Sequence, residues 1–185
     1  MDDLYIKKVL SGEVDEFRYF VRKYKDMAFS VAISVVKDEN KAAEVVQEAF
    51  INAYRNLKKF KGKSKFSSWF YRIVINESFK TIGKQGEELL NEMNTADLSH
   101  VNFPEIFNTL QEGEQKYYIN KSLIKLMPNE SLVLRLFYLN ENSIREICEM
   151  TGWSESNVKV LLHRARKHMK TVLLRYLQKE AKYLI

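Results

Sequence analysis

Apolar side chains recur along this chain at three- and four-residue intervals, and no stretch alternates in the manner of a strand, so the chain is predicted to be all-α. Phe17, Phe20, Val21, Tyr24, Met27, Ala28, Val31 and Val35 mark one side of a long first helix. The polar triplet Asp38, Glu39 and Asn40 interrupts the pattern, with Asn40 as the expected N-cap of the next helix. Val45, Val46, Ala49, Phe50, Ala53 and Leu57 line one face of that second helix. Residues 58–65 read as a basic loop containing Gly62, and residues 67–82 as a third helix stopped by Gly83.

Beyond Gly83 the periodicity weakens and the charge changes sign. Glu87, Glu88, Glu92, Asp97, Glu105, Glu112 and Glu114 face a single cation, Lys84. Residues 85–114 are therefore expected to be an acidic linker, with some helix after Pro104, between a first module (1–84) and a second (115–185). The architecture expected is two small helical domains joined by this linker.

In the second module, Leu123, Leu126, Leu132, Leu136 and Phe137 predict two helices divided at Pro128. Ser143 and Glu146 have the spacing of a capping box, which opens a short helix carrying Ile147 and Met150. Thr151, Gly152 and Trp153 form a turn. Ser154 caps a longer helix, with Trp153 and Val158 spaced as a hydrophobic staple. Helix, glycine turn and longer helix are the outline of a helix-turn-helix. Its last helix has an apolar stripe (Val158, Leu161, Leu162, Ala165, Met169, Val172, Leu173) opposite Lys159, His163, Arg166, Lys167 and Lys170, with Arg164 at the margin. Such a helix can enter a major groove while its apolar side stays in its own core. A solvated basic face would look similar, and it is the two caps and the glycine turn that favour nucleic acid.

Composition agrees with that picture. The 185 residues carry a formal charge of +6 with only 6 Gly and 2 Pro, which suits long helices and a polyanionic partner. One cysteine, Cys148, cannot build a disulfide framework, so a reducing, cytoplasmic setting is expected. Cys148 itself reads as a small packing residue. No stretch approaches the ~20 apolar residues of a membrane span, and no membrane insertion is expected.

A second cationic concentration lies in the first module. Arg55, Lys58, Lys59, Lys61, Lys63, Lys65, Arg72, Lys80 and Lys84 are interleaved with Phe60, Phe66, Trp69, Phe70 and Tyr71 and opposed only by Glu77. Cations collect phosphates and aromatic faces receive unstacked bases, which is what single-stranded DNA needs. Most of Phe66, Trp69 and Phe70 are expected to be core instead; the loop lysines are the stronger candidates. His163 and His168 differ by five positions and do not share a helical face, so metal ligation is not expected. No cofactor and no enzymatic activity are expected, because no convergent carboxylate pair, triad, ligand cluster or GxxxxGK[ST] loop stands out.

Three segments resemble a known family. KAAEVVQEAFINAYR (41–55) and FKGKSKFSSWFYRIVIN (60–76) resemble region two of bacterial RNA polymerase sigma factors; LMP (126–128), IREI (144–147) and VKVLLHRAR (158–166) resemble region four. The small size points to the extracytoplasmic-function subgroup. The resemblance implies that Glu44, Gln47, Glu48, Ile51 and Arg55 dock on the clamp helices of the largest subunit of core RNA polymerase. It implies that Lys58, Lys61, Lys63, Ser64 and Asn76 capture a flipped base of the minus-ten element and hold the opened strand. Lys159, Val160, His163, Arg164 and Arg166 would contact the minus-thirty-five element of promoter DNA, and an anti-sigma factor would hold the free protein inactive. Lys41, Ala43, Lys80, Val160 and Leu161 depart from the family pattern, the last two implying an unusual upstream element. Two other classes compete: a free-standing helix-turn-helix regulator that needs no polymerase, and an interaction protein whose basic faces bind an acidic protein.

Overall fold

The computed structural model describes residues 1–83 and 112–181; the expectations for residues 84–111, including a helix after Pro104, lie outside them. Every regular element among the described residues is helical. In chain order they are α1 (Asp2–Leu10), a 3-10 turn (Val14–Phe17), α2 (Arg18–Val36), α3 (Glu39–Asn56), a second 3-10 turn (Leu57–Lys59) and α4 (Phe66–Ile82). The second module contains α5 (Glu112–Lys125), α6 (Pro128–Leu134), a π-helical turn (Arg135–Leu139), α7 (Ile144–Thr151) and α8 (Glu155–Ala181).

In the first module α2, α3 and α4 pack pairwise around one aromatic core. Phe20, Phe66 and Phe70 are almost completely buried. The Phe20 and Phe66 rings lie 4.3 Å apart and those of Phe50 and Phe70 4.5 Å, close enough for attractive ring contacts beyond simple burial. Helix α1 was not anticipated. It is anchored by Asp2, whose carboxylate accepts from the Tyr24 hydroxyl at 2.6 Å, the Tyr19 hydroxyl at 2.8 Å and Lys23 Nζ at 2.5 Å. Burial alone would raise the Asp2 pKa, but these donors outweigh it and hold the carboxyl below its ordinary value.

One expected cap moves. Helix α3 is capped by Asp38, whose side chain accepts from the backbone N–H of Lys41, whereas Asn40 sits inside the first turn. Asp38 has the extended backbone that an N-cap needs (φ −138°, ψ 125°), and its carboxylate also suits the positive end of the helix dipole.

In the second module, Leu132, Leu136, Ile147, Leu162 and Met169 build the core between α6, α7 and α8. Pro128 stands at the first position of α6, where its missing N–H costs nothing.

The two modules pack against each other: α2 against α6 and the π-helical turn, α4 against α7. Lys37 closes α2 in a left-handed conformation (φ 59°), and its Nζ donates to the Leu123 carbonyl at 2.7 Å. Burial, then the nearby Arg135 guanidinium, pushes the Lys37 ammonium down to about 7. Arg135 donates to Ser30 and, at 3.3 Å, to Asn120. Its Nε is buried without a partner, and no carboxylate pairs with it among the described residues. The seam thus carries buried charged groups as well as apolar ones.

Candidate nucleic-acid interface

The helix-turn-helix follows from local chemistry. The Ser143 hydroxyl accepts from the Glu146 backbone N–H at 3.2 Å, and the Glu146 carboxylate accepts from the Ser143 N–H at 3.1 Å, so the capping box is complete. Helix α7 ends at Gly152, whose φ of 77° lies in the left-handed region that favours glycine. The Ser154 hydroxyl then accepts from the Asn157 N–H at 3.3 Å as α8 begins.

Helix α8 presents the two faces anticipated. Val158, Leu161, Leu162, Ala165, Met169 and Leu173 are buried, and Lys159, Lys167 and Lys170 are exposed. Of the residues predicted to contact DNA, Lys159 is exposed and paired with Glu155 one turn earlier at 2.6 Å; Val160, His163, Arg164 and Arg166 are partly exposed. Arg166 is held in place. Its Nε donates to the Tyr138 hydroxyl at 2.7 Å, and its guanidinium lies 5.8 Å and 5.5 Å from the ring centres of Phe137 and Tyr138. Sequence reasoning missed Tyr138, which lies 28 residues away on the π-helical turn.

The first module carries the second basic surface. Lys58, Lys61 and Lys63 are exposed, Ser64 is partly exposed, and none of these lysines pairs with a carboxylate among the described residues. Gly62 turns the loop with φ 66°. Asn76 and Arg72, one turn apart, are both exposed on α4. Phe66 and Phe70 are buried and unavailable to a base, whereas Trp69 is only partly buried, 5.3 Å from the Phe60 ring.

A third surface lies on α3. Glu44, Gln47, Glu48 and Arg55 are exposed, Ile51 is partly so, and their spacing puts them on one side of the helix. Gln47, Ile51 and Arg55 border an open apolar groove between α2 and α3, floored by Phe17, Val46 and Phe50 and flanked by the exposed rings of Phe29 and Tyr54. The groove was not foreseen; the signal available in the sequence was two aromatics, Phe29 and Tyr54, off the buried stripes of their helices.

Two basic helical modules, one of them a helix-turn-helix, define a DNA-binding protein. Residues 20–88 match the Sigma-70 region 2 family and residues 118–169 the Sigma-70, region 4 family. The chain belongs to the extracytoplasmic-function RNA polymerase sigma factors. It is 29% identical over 178 residues to the ECF RNA polymerase sigma factor SigW of Bacillus subtilis, spanning 91% of this chain and 94% of that protein. It is 27% identical over 176 residues to the ECF RNA polymerase sigma-E factor of Haemophilus influenzae, spanning 90% and 92% respectively. The fold is shared with CnrH, solved in complex with the cytosolic domain of CnrY (TM-score 0.62, 20% identity, 92% of this chain and 95% of that one). It is also shared with RpoE of Bartonella quintana, solved with the anti-sigma factor NepR (TM-score 0.61, 20% identity, 85% and 96%).

Proposed function

We propose that this sigma factor divides promoter recognition among its three surfaces. Helix α3 and its apolar groove dock on the clamp helices of core RNA polymerase. The loop at residues 60–65, with Lys58 and Asn76, holds the opened minus-ten strand, and α8 reads the minus-thirty-five element. The chain hydrolyses nothing itself; strand opening draws on binding energy and on base capture offsetting lost stacking. It works in the cytoplasm, where no described helix is long and apolar enough to cross a membrane. An anti-sigma factor is the expected restraint, supported by the partners of CnrH and RpoE in their solved complexes.

The observation that carries this reading is the pair of exposed cationic surfaces on separate modules, one a loop whose Lys61 and Lys63 have no acidic partner among the described residues and the other a capped recognition helix. A free-standing regulator would need only the second. The test is a promoter footprint with and without core polymerase. Protection of both elements that requires core supports the reading; equal protection by the chain alone contradicts it.

A further inference from the structure

The π-helical turn between α6 and α7 has a geometric consequence at the recognition helix. The backbone N–H of Asn140 donates to the Arg135 carbonyl five residues back at 3.0 Å, and such wide turns are rare and tend to sit at functional positions. The turn carries two consecutive aromatic residues, Phe137 and Tyr138, whose rings meet edge to face at 4.9 Å. Both rings lie against one cation of α8. The Arg166 guanidinium is 5.8 Å from the centre of the Phe137 ring and 5.5 Å from that of Tyr138, and its Nε donates to the Tyr138 hydroxyl at 2.7 Å. Tyr138 is 42% exposed, so this cluster sits at the surface, beside a partly exposed Arg166. The cations of α8 are held in different ways. Lys159 is paired with the Glu155 carboxylate, which offsets its charge. The restraints on Arg166 are a hydroxyl and two rings, all neutral, so its position is fixed while its positive charge stays available. With Nε–H committed to Tyr138, it is the Nη groups that are left to meet an anion.

We propose that Tyr138 is a positioning residue for promoter binding: it sets the Arg166 guanidinium before DNA arrives, so that the Nη groups meet a backbone phosphate beside the minus-thirty-five element. This role rests on α8 reading promoter DNA, and it adds to that reading a residue outside the recognition helix. An arginine free to rotate loses side-chain entropy when it settles on a phosphate. Here the Tyr138 hydroxyl and the two rings take up that loss during folding, which leaves less of it to oppose binding. Phosphate contacts fix where a helix sits on the duplex and carry no base preference, so Tyr138 acts on the strength of promoter binding and not on the choice of sequence.

The test measures promoter binding by the full chain with core polymerase over a range of salt. Tyr138→Phe keeps the ring and removes the hydroxyl that holds Arg166. It should lower promoter affinity roughly two- to tenfold, the range of one intramolecular hydrogen bond, and leave thermal unfolding close to that of the parent chain. Arg166→Ala should lower the salt slope by about 1, for one lost phosphate contact. Tyr138→Phe should leave the slope nearly unchanged, because the contact is weakened and not removed. In the Arg166→Ala background Tyr138→Phe should cost nothing further, whereas a general disturbance of the second module would cost the same in both backgrounds. Full affinity in Tyr138→Phe, or equal losses with and without Arg166, overturns the proposal. If Lys159→Ala lowers affinity and Arg166→Ala does not, the proposal falls while α8 keeps its assignment. If neither lowers it, the DNA reading of α8 falls as well.

Discussion

At the scale of single residues, the cations divide into those tied down and those left for a partner. Lys58, Lys61 and Lys63 are exposed without acidic partners, Lys159 is lightly paired to Glu155, and Arg166 is oriented by Tyr138. Replacing both Lys61 and Lys63 with Ala should lower the salt slope of promoter binding by about 2, since each phosphate contact contributes close to one unit. Lys159→Ala or Arg164→Ala should weaken promoter use about 5- to 100-fold while leaving core polymerase binding intact, the range of one specific contact; loss of core binding would contradict the module assignment. Glu146 supplies a pH handle. Lys65 first, then the Ser143 N–H and hydroxyl, hold its carboxyl down to about 2 from an ordinary 4.5. A carboxylate with a depressed folded pKa contributes stability that is fully present above pH 4.5 and is lost as pH falls towards 2. Acid denaturation followed by circular dichroism should therefore show the chain losing stability across that window, and Glu146→Gln should flatten the response.

At the scale of helices, most of the molecule was legible because the signals are local. The stop at Gly83, the capping box at Ser143 and Glu146, the glycine turn at Gly152 and the apolar stripe of α8 each depend on residues within a few positions of one another. The misses have equally physical causes. Asp38 and Asn40 are both competent caps, and only the backbone conformation chooses between them. Helix α1 is short and held by Asp2 reaching residues 17 to 22 positions away, which no periodicity reveals. The cap at Ser143 and the turn at Gly152 can be tested directly. Ser143→Ala should cost about 1 kcal/mol in chemical denaturation, and Gly152→Ala a comparable amount because φ is positive there. Leu162→Ala, in the core of the second module, should cost about 2–5 kcal/mol. Either of the first two matching Leu162→Ala would mean that the turn is part of the core rather than a local device.

At the scale of the whole molecule, the sequence predicts two modules but not how they meet. The contacts that join them span 81 residues (Lys65 to Glu146), 86 (Lys37 to Leu123) and 105 (Arg135 to Ser30), and each side chain reads in isolation as an ordinary surface residue. The proposed polymerase surface is partly legible in the same sense: the face of α3 is visible from spacing, but the apolar groove beside it needs α2 to be placed against α3. Substituting Gln47 and Glu48 with Ala should weaken co-purification with core polymerase and leave the salt-sensitive DNA affinity of the chain unchanged. Run-off transcription with purified core polymerase on a promoter library tests the division of labour most directly. The full chain should make core transcribe from promoters that core alone ignores. Lys159→Ala should shift which promoters are used, and Lys61→Ala/Lys63→Ala should lower output from all of them. Transcripts that do not depend on this chain, or an identical promoter set in all variants, would contradict the account.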